Sequence, residues 1–170
     1  AHQLKLLNNF LSIGHAAMAA EAITVAAKAG VSMEALRDIV MSGGAMSVMF
    51  ERLIKVPLAD DDSAAKFAIK NARKDLRYYT NMTEQLPVAS FLGETVHHLY
   101  VMAENSGFGD RFIPRMLDVF KKINGMAKGE RTSPVPRDFV ICQWWQLACR
   151  LPCRDKEDIH EPYRYSHWHA

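Results

Sequence analysis

The sequence contains little cysteine. Its three cysteines, Cys142, Cys149 and Cys153, are odd in number and lie close together near the carboxyl end of the 170 residues. An odd and clustered set is not typical of a disulfide framework. We therefore expect a reducing compartment, with the cytoplasm as the default location.

Neither sign of charge dominates the composition. Lysine and arginine contribute 21 positive charges and aspartate and glutamate 19 negative charges, which leaves a net charge of +2. Nucleic-acid partners and anionic membrane surfaces select for a much stronger basic bias. We therefore predict no nucleic-acid partner and no membrane partner.

The sequence also lacks a long uninterrupted apolar run. The most apolar stretch, residues 13–29, is interrupted by His15, Glu21, Thr24 and Lys28, which argues against a membrane span. The opening residues do not follow the charged, apolar and small-residue order of a secretory signal. Since they include no initiator methionine, we interpret the chain as a processed, trimmed or partial product.

Strand patterns are absent as well, because no segment alternates β-branched and polar residues over several positions. Apolar residues at helical spacing predict six helices, at residues 3–29, 33–41, 47–55, 64–85, 87–105 and 111–124. Gly30 suits the end of the first, Ser32 caps the second, and the third stops before Pro57. The predicted fold class is all-α, a helical bundle around one long N-terminal helix.

That first helix is long for a small domain. About 27 residues at a rise of about 1.5 Å per residue span about 40 Å, more than a small core covers. We therefore expect a second chain or domain to cover part of it. Its alanine-rich middle should permit close approach of neighbouring helices.

The composition changes abruptly after Gly125. All three tryptophans and all three cysteines lie beyond this point, together with four prolines. We interpret residues 1–125 as one helical domain and residues 126–170 as a tail, with one short helix at 138–151. Its zinc-compatible side chains are Cys142, Cys149, Cys153, His160, His167 and His169. Their spacing matches no standard zinc motif, so we predict no metal site.

Lys5 and Asn9 are the first candidates for chemistry. They are four residues apart on the predicted first helix and so share one face, with Asn8 beside them. An amine can exchange a proton with a substrate hydroxyl, and a neighbouring amide can fix the oxygen. On spacing alone, a solvated helix face explains the same residues.

A second candidate group is basic. Lys70, Arg73 and Lys74 fall on one predicted helix face, with Asp75 adjacent. Solvated side chains with local ion pairs are one interpretation. An anion or phosphate contact next to the first site is the other.

The remaining candidates are weaker. We expect His97 and His98 to divide into one partly buried and one exposed imidazole rather than a ligand pair. Six carboxylates could supply a converging pair for glycoside hydrolysis: Glu21, Glu51, Asp75, Glu84, Glu94 and Glu104. The sequence does not decide whether any two converge.

An ordered set of motifs resembles one enzyme family. Residues 3–9, Gln-Leu-Lys-Leu-Leu-Asn-Asn, are similar to the catalytic signature of β-hydroxyacid dehydrogenases, the 3-hydroxyisobutyrate and tartronate semialdehyde dehydrogenase family. The set continues with Glu21-Ala22, residues 27–31, Phe67, Lys74-Asp75-Leu76, Leu86-Pro87-Val88 and residues 107–110. It covers roughly residues 1–122 and resembles the C-terminal helical domain that 6-phosphogluconate and 3-hydroxyisobutyrate dehydrogenases share.

The resemblance implies roles for these residues. Lys5 would be the catalytic acid/base, Asn8 and Asn9 would bind substrate, and Lys74 with Asp75 would lie at the cofactor edge of the cleft. The family oxidises or reduces short hydroxy acids with NAD or NADP and commonly dimerises through its helical domain. It carries a Rossmann domain in front of the helices.

The sequence departs from the family pattern at its start. Ala1 stands where a glycine is expected, and no Gly-x-Gly-x-x-Gly fingerprint occurs in the sequence. We therefore expect a truncated dehydrogenase domain that binds no NAD or NADP and has no dehydrogenase activity by itself. The alternatives are a helical homodimerisation module and a hydrolase, for example a glycoside hydrolase, on the truncated scaffold.

Overall fold

The computed structural model describes residues 2–126. Six α-helices occupy most of this range: α1 (His2–Lys28), α2 (Met33–Ser42), α3 (Val48–Ala59), α4 (Ile69–Gln85), α5 (Phe91–Ala103) and α6 (Met116–Ile123). Over these residues β-pairing is limited to one isolated bridge, between Ala68 and Phe112. The all-α prediction is confirmed for the described part of the chain. The predicted helix at 138–151 and the tail's cysteines and histidines lie outside it.

Helix α1 is the centre of the fold, and its bounds are within one residue of those predicted. It ends at Gly30, which has a left-handed φ of 73°. The Val31 amide donates to the Ala26 carbonyl at 2.9 Å, which satisfies a free group at the helix end. Small side chains such as Ala16 and Ala20, both fully buried, let α1 contact all five other helices.

By length and hydropathy alone, α1 could cross a membrane. It has 27 residues, and an 18-residue window in it has a mean hydropathy of 1.4. However, 44% of that window is buried inside the protein. Such a helix indicates a membrane span only weakly, because the core helix of a globular protein has the same two properties.

The core forms where α3, α4, α5 and α6 pack around α1. Its largest fully buried side chains include Leu53, Ile54, Ile69, Leu76, Tyr100, Met116 and Leu117. Helices α4 and α5 also pack extensively on each other. This packing places the face of α4 that carries Asp75 against the amino-terminal half of α1.

Helix α3 continues past the predicted boundary at Pro57, so that boundary is wrong. A proline removes one N–H···O bond from the helix, but Pro57 is only two residues from the end of α3. Buried Leu53, Ile54 and Val56 keep this turn packed. The helix ends at Asp60, whose left-handed backbone amide donates to the Val56 carbonyl at 2.9 Å.

The predicted start of α4 at residue 64 is also wrong, because the backbone there pairs elsewhere. The Ile69 amide donates to the Arg111 carbonyl and the Ile113 amide donates to the Phe67 carbonyl, both at 2.9 Å. These tertiary bonds hold residues 67–68 outside a helix, and α4 begins at Ile69. They also delay α6, which was predicted to begin at residue 111. The helix predicted from Pro87 begins at Phe91 instead.

An arginine fastens the acidic turn before α4. Arg115 donates to the Asp62 carboxylate at 2.7 Å and to the Asp60 carboxylate at 2.8 Å, and lies 3.8 Å from Asp118. Its side chain is only 20% exposed. A partly buried network of this kind holds its elements together more firmly than an isolated surface pair.

Candidate active site

The signature residues lie on the first turns of α1. Lys5 and Asn8 are exposed, whereas Asn9 is half-buried. The four-residue spacing puts Lys5 and Asn9 on one side of the helix. Their helical placement agrees with the prediction.

A hydrogen bond joins this face of α1 to α4. Asn9 Nδ2 donates to Asp75 Oδ2 at 2.8 Å, between residues 66 positions apart. The Asp75 side chain is nearly buried, with 8% exposure. The structure therefore brings together two residues that the sequence placed in separate candidate groups.

A ring stack fixes the same two helices beside that bond. The rings of Phe10 and Tyr79 lie parallel, with centroids 4.2 Å apart and 6° between their planes. Phe10 follows Asn9 directly, and Tyr79 lies one helical turn beyond Asp75. Two neighbouring contacts therefore set the register of α1 against α4.

The basic group on α4 divides into paired and unpaired residues. Lys70 pairs with Asp110 at 2.5 Å, and Arg73 pairs with Glu104. Local ion pairs therefore account for these two residues. Lys74 is exposed, and among residues 2–126 it has no ion pair or side-chain hydrogen bond. The same holds for Lys5 within that range, so both ammonium groups are available to a ligand.

A cavity of about 250 Å³ opens beside Asn9. Its lining comes from α1, α3 and the segments before α4 and α6: Asn9, Ser12, Ile13, Met49, Arg52, Ala64, Ala65, Lys66, Phe67 and Ile113. Arg52 and Lys66 are both exposed, and neither forms an ion pair within the described range. Two cations and the Asn9 amide suit a small anion such as a carboxylate.

Sequence reasoning missed Arg52 and Lys66. They are 14 positions apart, on α3 and on a loop, so no helical spacing relates them. Phe67, which the resemblance had picked out, lines the same cavity. The only local signal was a basic residue immediately before that phenylalanine.

The other candidates have separate outcomes. His98 is exposed, as predicted, whereas His97 is more buried than the partial burial predicted, with 6% exposure. Two of the six carboxylates are already engaged, Asp75 by Asn9 and Glu104 by Arg73. These contacts give the hydrolase alternative no support.

The chain is similar to known dehydrogenases. It is 28% identical to L-threonate dehydrogenase from Pectobacterium atrosepticum over 127 residues, 75% of this chain and 41% of that protein. Its fold matches 3-hydroxyisobutyrate dehydrogenase from Salmonella typhimurium with a TM-score of 0.63 and 27% identity, over 69% of this chain and 41% of the solved chain.

A second solved structure shares the fold. The 3-hydroxyisobutyrate dehydrogenase of Mycobacterium tuberculosis, solved with L-serine, matches with a TM-score of 0.62 and 19% identity, over 69% of this chain and 42% of that one. In each of these comparisons the chain spans about two fifths of the length of its relative.

A family model also matches most of the chain. It describes the NAD-binding domain of NADP-dependent 3-hydroxyisobutyrate dehydrogenase and matches residues 1–120. This stretch includes the signature residues on α1, the α4 face that contacts them and the cavity beside Asn9. Because the match extends over more than half of the sequence, the chain belongs to the family of the NAD-binding domain of NADP-dependent 3-hydroxyisobutyrate dehydrogenase.

Proposed function

We propose that residues 2–126 form the helical wall of the active site of an NAD(P)-dependent hydroxy-acid dehydrogenase. The observation that carries this proposal is the 2.8 Å hydrogen bond from Asn9 to Asp75. It joins the signature on α1 to the Lys74-Asp75 segment of α4, the two segments to which the resemblance assigns substrate and cofactor roles.

Lys5 would act as the acid/base at the substrate hydroxyl. During oxidation its neutral amine takes the hydroxyl proton while the carbon–oxygen bond becomes a carbonyl, and in reduction its ammonium returns that proton. Asn9, held by Asp75, would donate a hydrogen bond to the reacting oxygen, with Asn8 beside it. A fixed donor stabilises charge on that oxygen without having to reorganise during the reaction.

NAD or NADP, when bound, would accept the hydride from the substrate carbon. Lys74 fits a contact with such an anionic cofactor, because it is an exposed ammonium without a carboxylate partner in the described range. A strand followed by a glycine-rich turn, which normally holds the dinucleotide, is absent from residues 2–126. The proposed reaction therefore requires a nucleotide-binding domain from outside these residues.

We propose a small hydroxy carboxylate as the substrate. Arg52 and Lys66 border the cavity that opens beside Asn9, and their side chains carry no ion pair among the described residues. A carboxylate in this cavity would place the rest of a short hydroxy acid near the Asn9 amide. The relatives, named for L-threonate and 3-hydroxyisobutyrate, act on substrates of this class.

To test the proposal, the chain is joined to the nucleotide-binding domain of a relative. The chain is fused behind the amino-terminal domain of the Pectobacterium L-threonate dehydrogenase, and NAD(P)-dependent oxidation of L-threonate and 3-hydroxyisobutyrate is measured. We expect turnover by the fusion and none by the 170-residue chain alone. Loss of a general acid/base lowers the rate by about 10²- to 10⁴-fold, so Lys5→Ala should abolish most turnover.

Lys28→Ala is the matched control, since it removes an exposed lysine from the other end of α1. It should leave turnover unchanged. Arg52→Gln should raise KM more than it lowers kcat, because its proposed contact is with the bound substrate. Equal turnover by the Lys5→Ala and Lys28→Ala fusions would contradict the proposed role of Lys5.

An apolar stripe on α1 favours self-association as a second function. Leu4, Leu11, Met18 and Val25 recur every seven residues and are each more than half exposed. Seven-residue spacing keeps them on one side of the helix. Next to Met18, a cavity of about 450 Å³ between α1 and the α2–α3 loop is lined mainly by apolar groups. Exposed apolar surface of this extent commonly marks an interface.

We propose that a second copy of the chain covers this stripe. Sedimentation velocity over a range of concentrations should give a dimer for the natural sequence. Met18→Glu should shift the population toward monomer, while Glu21→Gln on the same helix should not. A monomer at every concentration would refute the proposed dimer.

A further inference from the structure

Three metal-ligand side chains converge on one turn of α5. Glu94 lies three residues before His97 and four residues before His98, so its carboxylate lies one helical turn from both imidazoles. One ligand atom from each lies within 4.8 Å of the others. A zinc ion bound by all three would lie about 2.0–2.2 Å from each ligand atom, so the side chains would move closer together on binding.

His97 is the unusual member of this group. The residue is buried, with 6% exposure, and within the described residues neither Nδ1 nor Nε2 has a hydrogen-bond partner. Buried polar atoms are nearly always satisfied, so both ring nitrogens of His97 are available to a ligand in the described part of the chain. His98 and Glu94, both exposed, give that ligand a route from solvent.

Charged side chains lie near His97, because Arg77, Arg73 and the Glu94 carboxylate all act on it electrostatically. Arg73 is already paired with Glu104, which leaves Arg77 as the main cation that a bound metal ion would oppose.

We propose that Glu94, His97 and His98 form a binding site for a first-row divalent metal ion of the zinc type. One carboxylate and two imidazoles match the ligand types that zinc accepts, and three protein ligands leave a position for water. None of these residues belongs to the candidate active site, so this site is independent of the proposed dehydrogenase function.

Zinc binding by the full 170-residue chain tests the proposal. The protein is stripped with a chelator and titrated with zinc chloride in competition with a chromophoric chelator. We expect one zinc per chain at this site. Glu94→Gln and His98→Ala each remove an exposed ligand without opening the core, and each should weaken zinc binding at least about tenfold. His15→Ala, an exposed histidine on α1, should not.

Two further readouts separate this site from zinc held by the cysteines and histidines beyond residue 126. Zinc should raise the Tm of the natural chain and of His15→Ala, but less for Glu94→Gln, because a ligand stabilises the state that binds it. Arg77→Gln removes the opposing cation and should tighten binding. Zinc affinity and thermal shift that are unchanged in both Glu94→Gln and His98→Ala would overturn the proposal.

Discussion

The hydrogen bond between Asn9 and Asp75 should contribute measurably to the stability of the fold. Asn9→Ala removes the donor and leaves a carboxylate that is only 8% exposed without its 2.8 Å partner. A hydrogen bond to a charged group contributes about 1.5–3 kcal/mol. Since Asn9 is half-buried, we expect a loss near the middle of this range, about 2 kcal/mol.

This loss converts to a clear thermal shift. A domain of this size has an unfolding entropy of about 0.26 kcal/mol/K near its Tm, so about 2 kcal/mol corresponds to about 8 °C. Calorimetry of the natural chain, Asn9→Ala and the exposed control Asn8→Ala measures it. The Tm of the Asn8→Ala control should remain within about 2 °C of that of the natural chain, because substitutions at exposed positions change stability by about 0.5 kcal/mol at most.

A double-mutant cycle tests whether the contact itself is responsible. Asn9→Ala, Asp75→Ala and the double variant should show a coupling energy of about 1–2 kcal/mol. An Asn9→Ala protein that melts with the Asn8→Ala control, or a coupling near zero, would show that α1 and α4 hold together without this bond. The active-site geometry would then need another explanation.

Two further predictions concern α1 and α5. A Cβ at Gly93 would clash with Ser90 Oγ and would lie 2.6 Å from the ring of Tyr79, which is held by its stack on Phe10, so Gly93→Ala should lower stability by about 1–3 kcal/mol in urea denaturation. Gly14→Ala should instead raise the free energy of unfolding by up to about 1 kcal/mol, because a Cβ at this helix position would meet no atom within 4 Å. If both substitutions changed stability in the same direction, the packing described around these two glycines would be wrong. Burial lowers the pKa of His97, so as the pH falls the unfolded chain binds a proton on this imidazole before the folded chain does. The free energy of unfolding should therefore decrease as the pH falls below about 6.5, the ordinary pKa of histidine. In metal-free buffer the Tm of His97→Gln should therefore fall less on acidification than the Tm of the natural chain. Parallel curves of Tm against pH for the two proteins would exclude His97 as the cause.

Local sequence was enough to predict α1. Its leucines and alanines favour helix, and Gly30 supplies the left-handed residue that ends it. The start of α4 could not be predicted in this way. Residues 64–68 have helical composition, but the amides of Ile69 and Ile113 bond to distant carbonyls, and such bonds depend on the completed fold.

In the candidate site, too, some residues could be predicted from local sequence and others only from the tertiary fold. Lys5 and Asn9 could be identified from a short sequence motif, and both lie on helix α1, as their spacing predicted. The pairing of Asn9 with Asp75 depends on how two helices pack, and no spacing rule reaches across 66 residues. Arg52 and Lys66 come together only when α3 and the loop before α4 close around the cavity beside Asn9.

The central position of α1 also has a consequence for synthesis on the ribosome. This helix precedes its partners, yet it contacts α6, which is the last helix of the described range. The part of its surface that α6 covers therefore stays exposed until Met116–Ile123 emerges from the exit tunnel. A nascent chain stalled before α6 should be a strong chaperone substrate, whereas one stalled after it should be protected from protease.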